Sequence, residues 1–257
     1  IPGLQGDLNN DISIVHDDTI PIQTAIDAAA SSGKNFLIMP GGVYLIDTIE
    51  LPNGFTLRGL ADATIFKKQY WTTTNISSDE RAGLRNAMFV SKTYNFKNPS
   101  STWTLNNFTL GDITLDGNAT GEILYDFSDL GLETNNALIG LPNSEFVKLQ
   151  NVKIRNSSGP ALFAEGSINF SIENCNFING AETERYETDC VLMTDCENTI
   201  VNASVFQNYP GALDFTTGKV LAINGCIVRN CGSGIKIYGS VNTSVLNNLI
   251  LGPSDEY

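Results

Sequence analysis

The chain has 257 residues, and its 28 acidic side chains outnumber 15 Lys and Arg, giving a net charge of −13 at pH 7. This excess argues against a main role in binding nucleic acid or an anionic membrane. A single histidine, His16, excludes a zinc site built from several histidines. No apolar run approaches the 18 residues of a membrane span, and 42% hydrophobic residues predict a globular chain.

The first predicted element is a helix over Thr19–Ala30. Asp17 and Asp18 precede it as capping residues, Pro21 lies in its first turn, and Gly33 ends it. Ile22, Ala25, Ile26 and Ala29 form its apolar stripe. Two short strands follow over residues 35–39 and 43–46. We therefore predict that residues 1–48 form an N-terminal cap, because the open end of a repeat fold needs a cover.

Residues 66–135 are the least regular stretch and predict long loops, although Asp112–Asn118 is typical of a strand and turn. Aromatic side chains cluster in this stretch, and two interpretations stay open for them: packing of the loops on the body, or stacking on sugar rings. These side chains are Tyr70, Trp71, Tyr94, Phe96 and Trp103.

An internal repeat of apolar-x-Asn-x-x-apolar occupies the second half of the chain. Its marker asparagines are 23, 28, 22 and 23 residues apart: Asn151, Asn174, Asn202, Asn224 and Asn247. Four of the five units contain another asparagine five or six residues later: Asn156, Asn179, Asn208 and Asn230. Asparagine tolerates left-handed backbone, so these positions predict turns whose amides stack along an axis.

Each repeat also contains a second short strand. These strands are predicted at Ala137–Leu141, Ala161–Glu165, Cys190–Thr194, Ala212–Thr216 and Gly234–Tyr238. A period of 22–23 residues with short strands and Asn/Gly corners predicts an all-β fold, a single-stranded parallel β-helix over residues 49–257 with coils about 4.8 Å apart.

The five cysteines form no metal-binding pair, and we expect them to be reduced and buried. The last residues follow a strand directly, which predicts that this chain is part of a longer polypeptide truncated at its C-terminus.

A family resemblance is carried by the first 60 residues and by the repeats. The run Asp17-Asp18-Thr19, Ile22-Gln23, Ala25–Ala29, then Pro40-x-Gly42-x-Tyr44-Leu45-Ile46 and Leu57-x-Gly59, resembles the opening of pectate-lyase-like proteins. It is especially similar to the branch that contains phage tailspikes and polygalacturonases. The resemblance implies a right-handed β-helix, and for a tailspike a homotrimer. The sequence departs from this branch near Asp7–Asp18, where the usual Gly-Asp-Gly is not evident.

The resemblance offers three chemistries. A polygalacturonase needs a histidine at a set position, whereas His16 lies in the cap region. A pectate lyase uses calcium-binding carboxylates, and no acidic cluster has the density of a calcium loop. Tailspike glycosidases use two or three carboxylates on one face of the β-helix. We therefore expect no cofactor and no metal.

The aligned coils place four candidate catalytic carboxylates at or beside one strand: Glu165, Asp189, Asp195 and Asp214. One group would protonate the leaving oxygen, and another would direct water or attack the sugar. Substrate-binding candidates around them are Tyr209, Lys236, Tyr238 and Tyr186. Asp214 and Lys236 share an outward column about 5 Å apart, and a simple surface ion pair is the alternative interpretation. The insertion Gly180–Thr188 would wall the same cleft.

Ile139, Phe163 and Leu192 are predicted to share that outward column, and a neighbouring subunit would cover them. Two functions stay open. The first is a phage tailspike or tail-fibre protein of the virion, a homotrimer that binds a host surface polysaccharide alongside other tail proteins, with cleavage of that polysaccharide undecided. The second is a secreted, monomeric polysaccharide-degrading hydrolase or lyase. Neither interpretation involves nucleic acid or membrane insertion.

Overall fold

The computed structural model describes residues 17–68, 87–91, 105–118, 137–157, 159–180 and 189–252. These residues form one helix, α1 (Thr19–Ser31), and parallel strands. The first nine strands are β1 Phe36–Ile38, β2 Gly42–Ile46, β3 Ile49–Leu51, β4 Thr56–Arg58, β5 Thr64–Lys68, β6 Phe89–Ser91, β7 Leu105–Asp116, β8 Ile139–Gly140 and β9 Ser144–Ser157. The remaining strands are β10 Leu162–Glu165, β11 Ile168–Glu173, β12 Asn176–Gly180, β13 Asp189–Thr194, β14 Glu197–Asn202, β15 Val205–Gln207, β16 Gly211–Thr216, β17 Lys219–Asn224, β18 Ile227–Arg229, β19 Ser233–Tyr238, β20 Val241–Leu246 and β21 Leu249–Leu251.

The strands pair only in parallel within the described residues, and they build a β-helix as predicted. β8, β10, β13, β16 and β19 are successive strands of a seven-stranded sheet that begins with β3 and β6. A second, fourteen-stranded sheet wraps the rest of each coil. Registered residues Val191, Leu213 and Ile235 are 22 residues apart, whereas Leu162 and Val191 are 29 apart because of the insertion before β13.

Helix α1 covers the N-terminal end of the stack. Ile22 and Ile26 are buried in the main core, as the apolar stripe predicts. Asp18 precedes the helix, but its side chain makes no capping hydrogen bond. The carboxylate of Asp18 instead accepts the backbone N–H of Leu45 at 3.0 Å, and Thr19 Oγ1 accepts that of Asp47 at 2.8 Å. These side chains therefore fasten the helix to strand β2. No helix in the described part of the chain is long and apolar enough to cross a membrane.

The main core is a continuous column of aliphatic and aromatic side chains, because each coil buries its apolar face against its neighbours. A second, small buried cluster contains Ala87, Val90, Ala137 and Phe163. Phe177 and Phe206, in register on β12 and β15, stack with ring centroids 4.9 Å apart. All five cysteines are free and buried, which confirms their expected state. Burial raises the pKa of both Cys175 and Cys196 to about 12.

Columns of left-handed residues mark the corners. The second asparagines of the repeats all have positive φ, and Asn208 and Asn230 each donate a side-chain hydrogen bond of 2.7 Å to the asparagine one coil below. Only three of the five marker asparagines, Asn151, Asn174 and Asn247, have positive φ. Strand pairing places Asn202 opposite Glu173, so the left-handed residues of the two middle coils are Ala203 and Gly225 instead of the marker asparagines. The alignment of those two units is therefore shifted by one residue.

The predicted loop region contains regular coils as well. Within residues 66–135, strands β6 and β7 and the end of β5 pair with neighbouring coils, and the predicted strand over Asp112–Asn118 is the end of β7 with its turn. The five aromatic residues proposed as sugar platforms or loop packing lie outside the described residues.

Candidate functional site

The outer face of the seven-stranded sheet carries the column of registered side chains that includes Asp214 and Lys236. From the N-terminal end it contains Glu50, Val90, Gly140, Phe163, Leu192, Asp214 and Lys236. The predicted adjacency of Asp214 and Lys236 is therefore confirmed. Ile139 was placed in the wrong column: it pairs with Leu162 and lies fully buried in the main core, and Gly140 takes the outward position. The column is thus apolar along its middle and charged at its C-terminal end.

Asp189 and Lys236 form an ion pair at this charged end. Lys236 Nζ lies 3.1 Å from Asp189 Oδ1 and donates a hydrogen bond of 3.2 Å to Oδ2. The lysine thus reaches across two coils, from β19 to the start of β13. Asp189 is 8% exposed, which is unusual for a carboxylate unless it has a partner. The surface ion pair expected for Lys236 exists, but Asp189 provides its carboxylate.

Asp214 lies beside this pair and changes its protonation. Burial raises the pKa of Asp189, Lys236 lowers that pKa, and Asp214 raises it through its charge and through a hydrogen bond between the two side chains. Two carboxyl groups hydrogen-bond to one another only when one of them carries a proton. Thr216 Oγ1 donates a hydrogen bond of 3.0 Å to Asp214 Oδ1, which orients that group. The two aspartates are neighbouring carboxyl groups whose charges interact, and this pair is here called the acid dyad.

Gly211 makes room for the dyad. A Cβ atom at this position would lie 1.7 Å from Asp189 Oδ1 and 2.8 Å from Ser233 Oγ. The Asp189 carboxylate thus occupies the space above the glycine. Oδ1 is buried and receives no hydrogen bond within the described residues. The ammonium of Lys236, 3.1 Å from Oδ1, balances the charge of this oxygen.

The other two candidate carboxylates are exposed and stand apart from the dyad. Glu165 shares its column with Thr194, Thr216 and Tyr238, so it lies two coils and two residues from Asp214. Strand spacing converts this offset to about 12 Å between the backbone positions. Asp195 occupies a left-handed corner and accepts a hydrogen bond from Thr217. Tyr238 is 74% exposed on the same outer face.

The structure does not bring Tyr209, a predicted substrate-binding residue, to the outer face of the sheet. Tyr209 is buried, and its hydroxyl hydrogen-bonds Ser157 Oγ at 2.9 Å inside the protein. Its ring packs so closely over Gly180 that a Cβ there would lie 2.2 Å from it. Tyr209 therefore belongs to the core and does not line an open cleft. Tyr186 and most of the insertion that was expected to wall the cleft lie outside the described residues.

Sequence reasoning did not select Gly211, Ser233 or Thr216. The signal available was their position: registered strands place Gly211 between Asp189 and Ser233 on successive coils. No group of three or more potential metal ligands occurs in the described part of the chain. The chemistry that the arrangement offers is proton transfer and hydrogen bonding.

The chain belongs to the right-handed β-helix family, because the family described as "Right handed beta helix region" matches residues 96–255. The right-handed β-helix fold that the resemblance implies is confirmed by this family match and by solved structures of the same fold.

Three known proteins resemble this chain in sequence or in fold. The plasmin and fibronectin-binding protein A of Streptococcus pneumoniae is 30% identical over 195 residues, which are 75% of this chain but 22% of that protein. This chain therefore spans about a fifth of that relative. A Yersinia enterocolitica family 28 exopolygalacturonase has a TM-score of 0.63 at 14% identity, over 94% of this chain and 59% of that one. A tailspike protein of an E. coli bacteriophage, solved with a pentasaccharide, has a TM-score of 0.61 at 14% identity, over 92% and 43%.

Proposed function

We propose that this protein binds an extracellular polysaccharide on the outer face of its seven-stranded sheet and hydrolyses it with the acid dyad. The observation that carries the proposal is Asp189: a buried carboxyl group with a raised pKa, close to a second carboxyl group on the outer face of the seven-stranded sheet. A carboxylic acid that keeps its proton at mildly acidic pH is the group that protonates a glycosidic oxygen.

The geometry limits how the dyad acts. Hydrogen-bonded carboxyl groups are closer than the roughly 5–5.5 Å of a retaining pair, so Asp189 and Asp214 do not straddle a glycosidic bond. They supply one proton together. Glu165 lies about 12 Å from Asp214 along the backbone, and it becomes the carboxylate that activates water if its side chain leans toward the dyad. That arrangement is an inverting one, which requires about 6.5–9.5 Å between the carboxyl groups.

The biological setting proposed is that of a tailspike: a homotrimer displayed on a virion, which attaches to its host through a surface polysaccharide. The fold shared with the phage tailspike supports this setting. The outward position of Phe163 does not add to that support, because Phe163 is already buried within the chain in a small cluster with Ala87, Val90 and Ala137. A secreted monomeric polysaccharide hydrolase is the alternative within the same chemistry.

A second candidate function is adhesion to a host protein, favoured by the 30% identity to a plasmin- and fibronectin-binding surface protein.

The test is depolymerisation of surface polysaccharides, followed as loss of polymer length. Asp189→Asn and Asp214→Asn are each expected to lower the rate at least 100-fold, because both carboxyl groups of the dyad are needed. Asp62→Asn is the matched control: the same chemical change at a side chain 79% exposed, which contacts Lys153 of the other sheet at 3.5 Å. Full activity in both dyad variants would refute the acid assignment. Binding to plasmin or fibronectin with no glycan binding would favour the second candidate.

A further inference from the structure

We infer that Phe146 is a sugar-binding residue, whose exposed ring forms a platform for one pyranose unit of a polysaccharide. Phe146 lies near the start of β9, shortly after the chain leaves the seven-stranded sheet. The inference rests on the proposed polysaccharide binding and adds a contact apart from the acid dyad. Two observations carry it: the backbone conformation of Phe146, and the interruption that its ring makes in a ladder of asparagine amides.

The first observation is a backbone conformation that a bulky residue rarely adopts. Phe146 has a φ of 55°, and the residues in register with it on the two adjacent coils, Asn107 and Asn169, share this left-handed conformation. Asparagine would be less strained than phenylalanine at this corner. The ring gains little burial in return, because Phe146 is 50% exposed. Backbone strain without a gain in packing is typical of positions that serve function.

The second observation is a hydrogen-bond donor left beside the ring. In the corner ladders an asparagine Nδ2 donates to the Oδ1 atom one coil below, as Asn198 does to Asn169 at 3.2 Å. Phe146 offers no such oxygen, so Asn169 Nδ2 makes no ladder hydrogen bond within the described residues. Asn107 lies on the other side of the ring, is exposed, and has an amide that can donate and accept. Amides therefore flank the ring at a backbone spacing of about 4.8 Å in each direction.

The surroundings of the ring favour a sugar over a protein partner. The neighbours of Phe146 on β9 that are not buried include Glu145 and Lys148, and the flanking corner residues are asparagines. A stable protein interface buries about 800 Å² on each partner and is apolar at its centre, whereas this ring stands among polar groups. A pyranose presents C–H groups on one face and hydroxyls around its edge. It therefore matches one aromatic face with hydrogen-bonding amides at its margins.

The experiment measures retardation of the full chain in native gels that contain dextran, galactan, mannan, galactomannan, xylan, polygalacturonate or alginate. We expect retardation by at least one polymer, and Phe146→Asn should lower the affinity for it by about tenfold. This variant should fold, because asparagine occupies the same corner in both adjacent coils. Val220→Asn is the matched control: it relieves the same left-handed strain three coils further along the column. Its affinity should stay within about twofold of the unmodified chain.

Two further substitutions separate stacking from general apolar contact. Phe146→Tyr keeps the aromatic face and should keep the affinity within about twofold. Phe146→Leu keeps an apolar side chain without that face and should lose as much affinity as Phe146→Asn.

Three results would overturn the inference and leave the proposed function standing: unchanged affinity in Phe146→Asn, full affinity in Phe146→Leu, or an equal loss in Val220→Asn. Retardation of the unmodified chain by none of the polymers would overturn the proposed function together with the inference.

Discussion

At the scale of single residues, the corners of the coils explain why asparagine is so abundant. One column of left-handed residues contains Asn107, Phe146, Asn169, Asn198, Val220 and Asn242 in consecutive coils. Asparagine adopts this conformation at little cost, whereas a side chain such as valine is strained in it by roughly 1–2 kcal/mol. Asn198 also donates a side-chain hydrogen bond of 3.2 Å to Asn169, so a ladder of amides adds to the preference.

Val220→Asn should therefore stabilise the protein. The valine has a φ of 54° and is 45% exposed, so little apolar burial is lost on replacement. We expect the free energy of unfolding to rise by about 1 kcal/mol, measured by chemical denaturation. Ile200→Asn is the control on the same sheet. This residue is similarly exposed but does not have positive φ, so the substitution should not stabilise. Equal effects of the two substitutions would contradict the explanation from backbone strain.

Lys68 is a buried cation whose cost depends on pH. Burial lowers its pKa from 10.5 to about 8, and the nearby Asp47 charge only partly offsets this. The folded state therefore binds this proton less tightly than the unfolded state, so Lys68 destabilises the fold fully below pH 8. That destabilisation fades as the pH rises from 8 to 10.5.

Lys68→Met should thus raise the free energy of unfolding by about 2–3 kcal/mol at pH 7. The gain should shrink between pH 8 and pH 10, which denaturation at several pH values would measure. Lys67→Met, at the adjacent half-buried position opposite Asp116, is the control and should change stability at pH 7 much less. A gain for Lys68→Met that does not vary with pH would point to packing in place of charge.

At the scale of elements, the sequence predicts strands well because alternation and period are local signals. The second strand of every repeat is present, and helix α1 differs from its prediction by one residue. Registers are harder, because a shift of one residue exchanges the two faces of a strand. In the two-residue strand β8 the alternation is too short to define a face, and Ile139 was assigned outward although it faces the core.

The candidate site shows the same contrast between what local sequence signals predict and what depends on three-dimensional packing. The column of Asp214 and Lys236 could be predicted, since it depends only on the 22-residue spacing of adjacent coils. The pairing of Lys236 with Asp189 could not, because it spans two coils and depends on the space over Gly211. Tyr209 was selected for its chemistry, yet its place beside a buried Ser157 comes from packing that no local pattern records.

At the scale of the whole molecule, the first and the last described coils of the β-helix differ in burial. At the N-terminal end α1 covers the first coils, where Ile46 and Ile49 are fully buried. In the last described coil the residues that continue the core columns are exposed. Ile237 is 37% exposed where its registered partner Phe215 is 2% exposed.

This asymmetry predicts a gradient of local stability along the axis. In a solenoid each coil is stabilised by its neighbours, so a coil with an uncovered face opens at lower free energy than one stacked on both sides. In the 257-residue chain expressed by itself, we expect backbone amides of β19–β21 to exchange with deuterium at least tenfold faster than those of β13–β15, measured by peptide-resolved mass spectrometry. Strands β2 and β3 serve as the internal control, because they lie near the other end but under α1, and they should exchange slowly. Equal exchange at both ends would mean that the helix does not protect the first coils. Equal exchange in β13–β15 and β19–β21 would mean that the stack unfolds as a single cooperative unit.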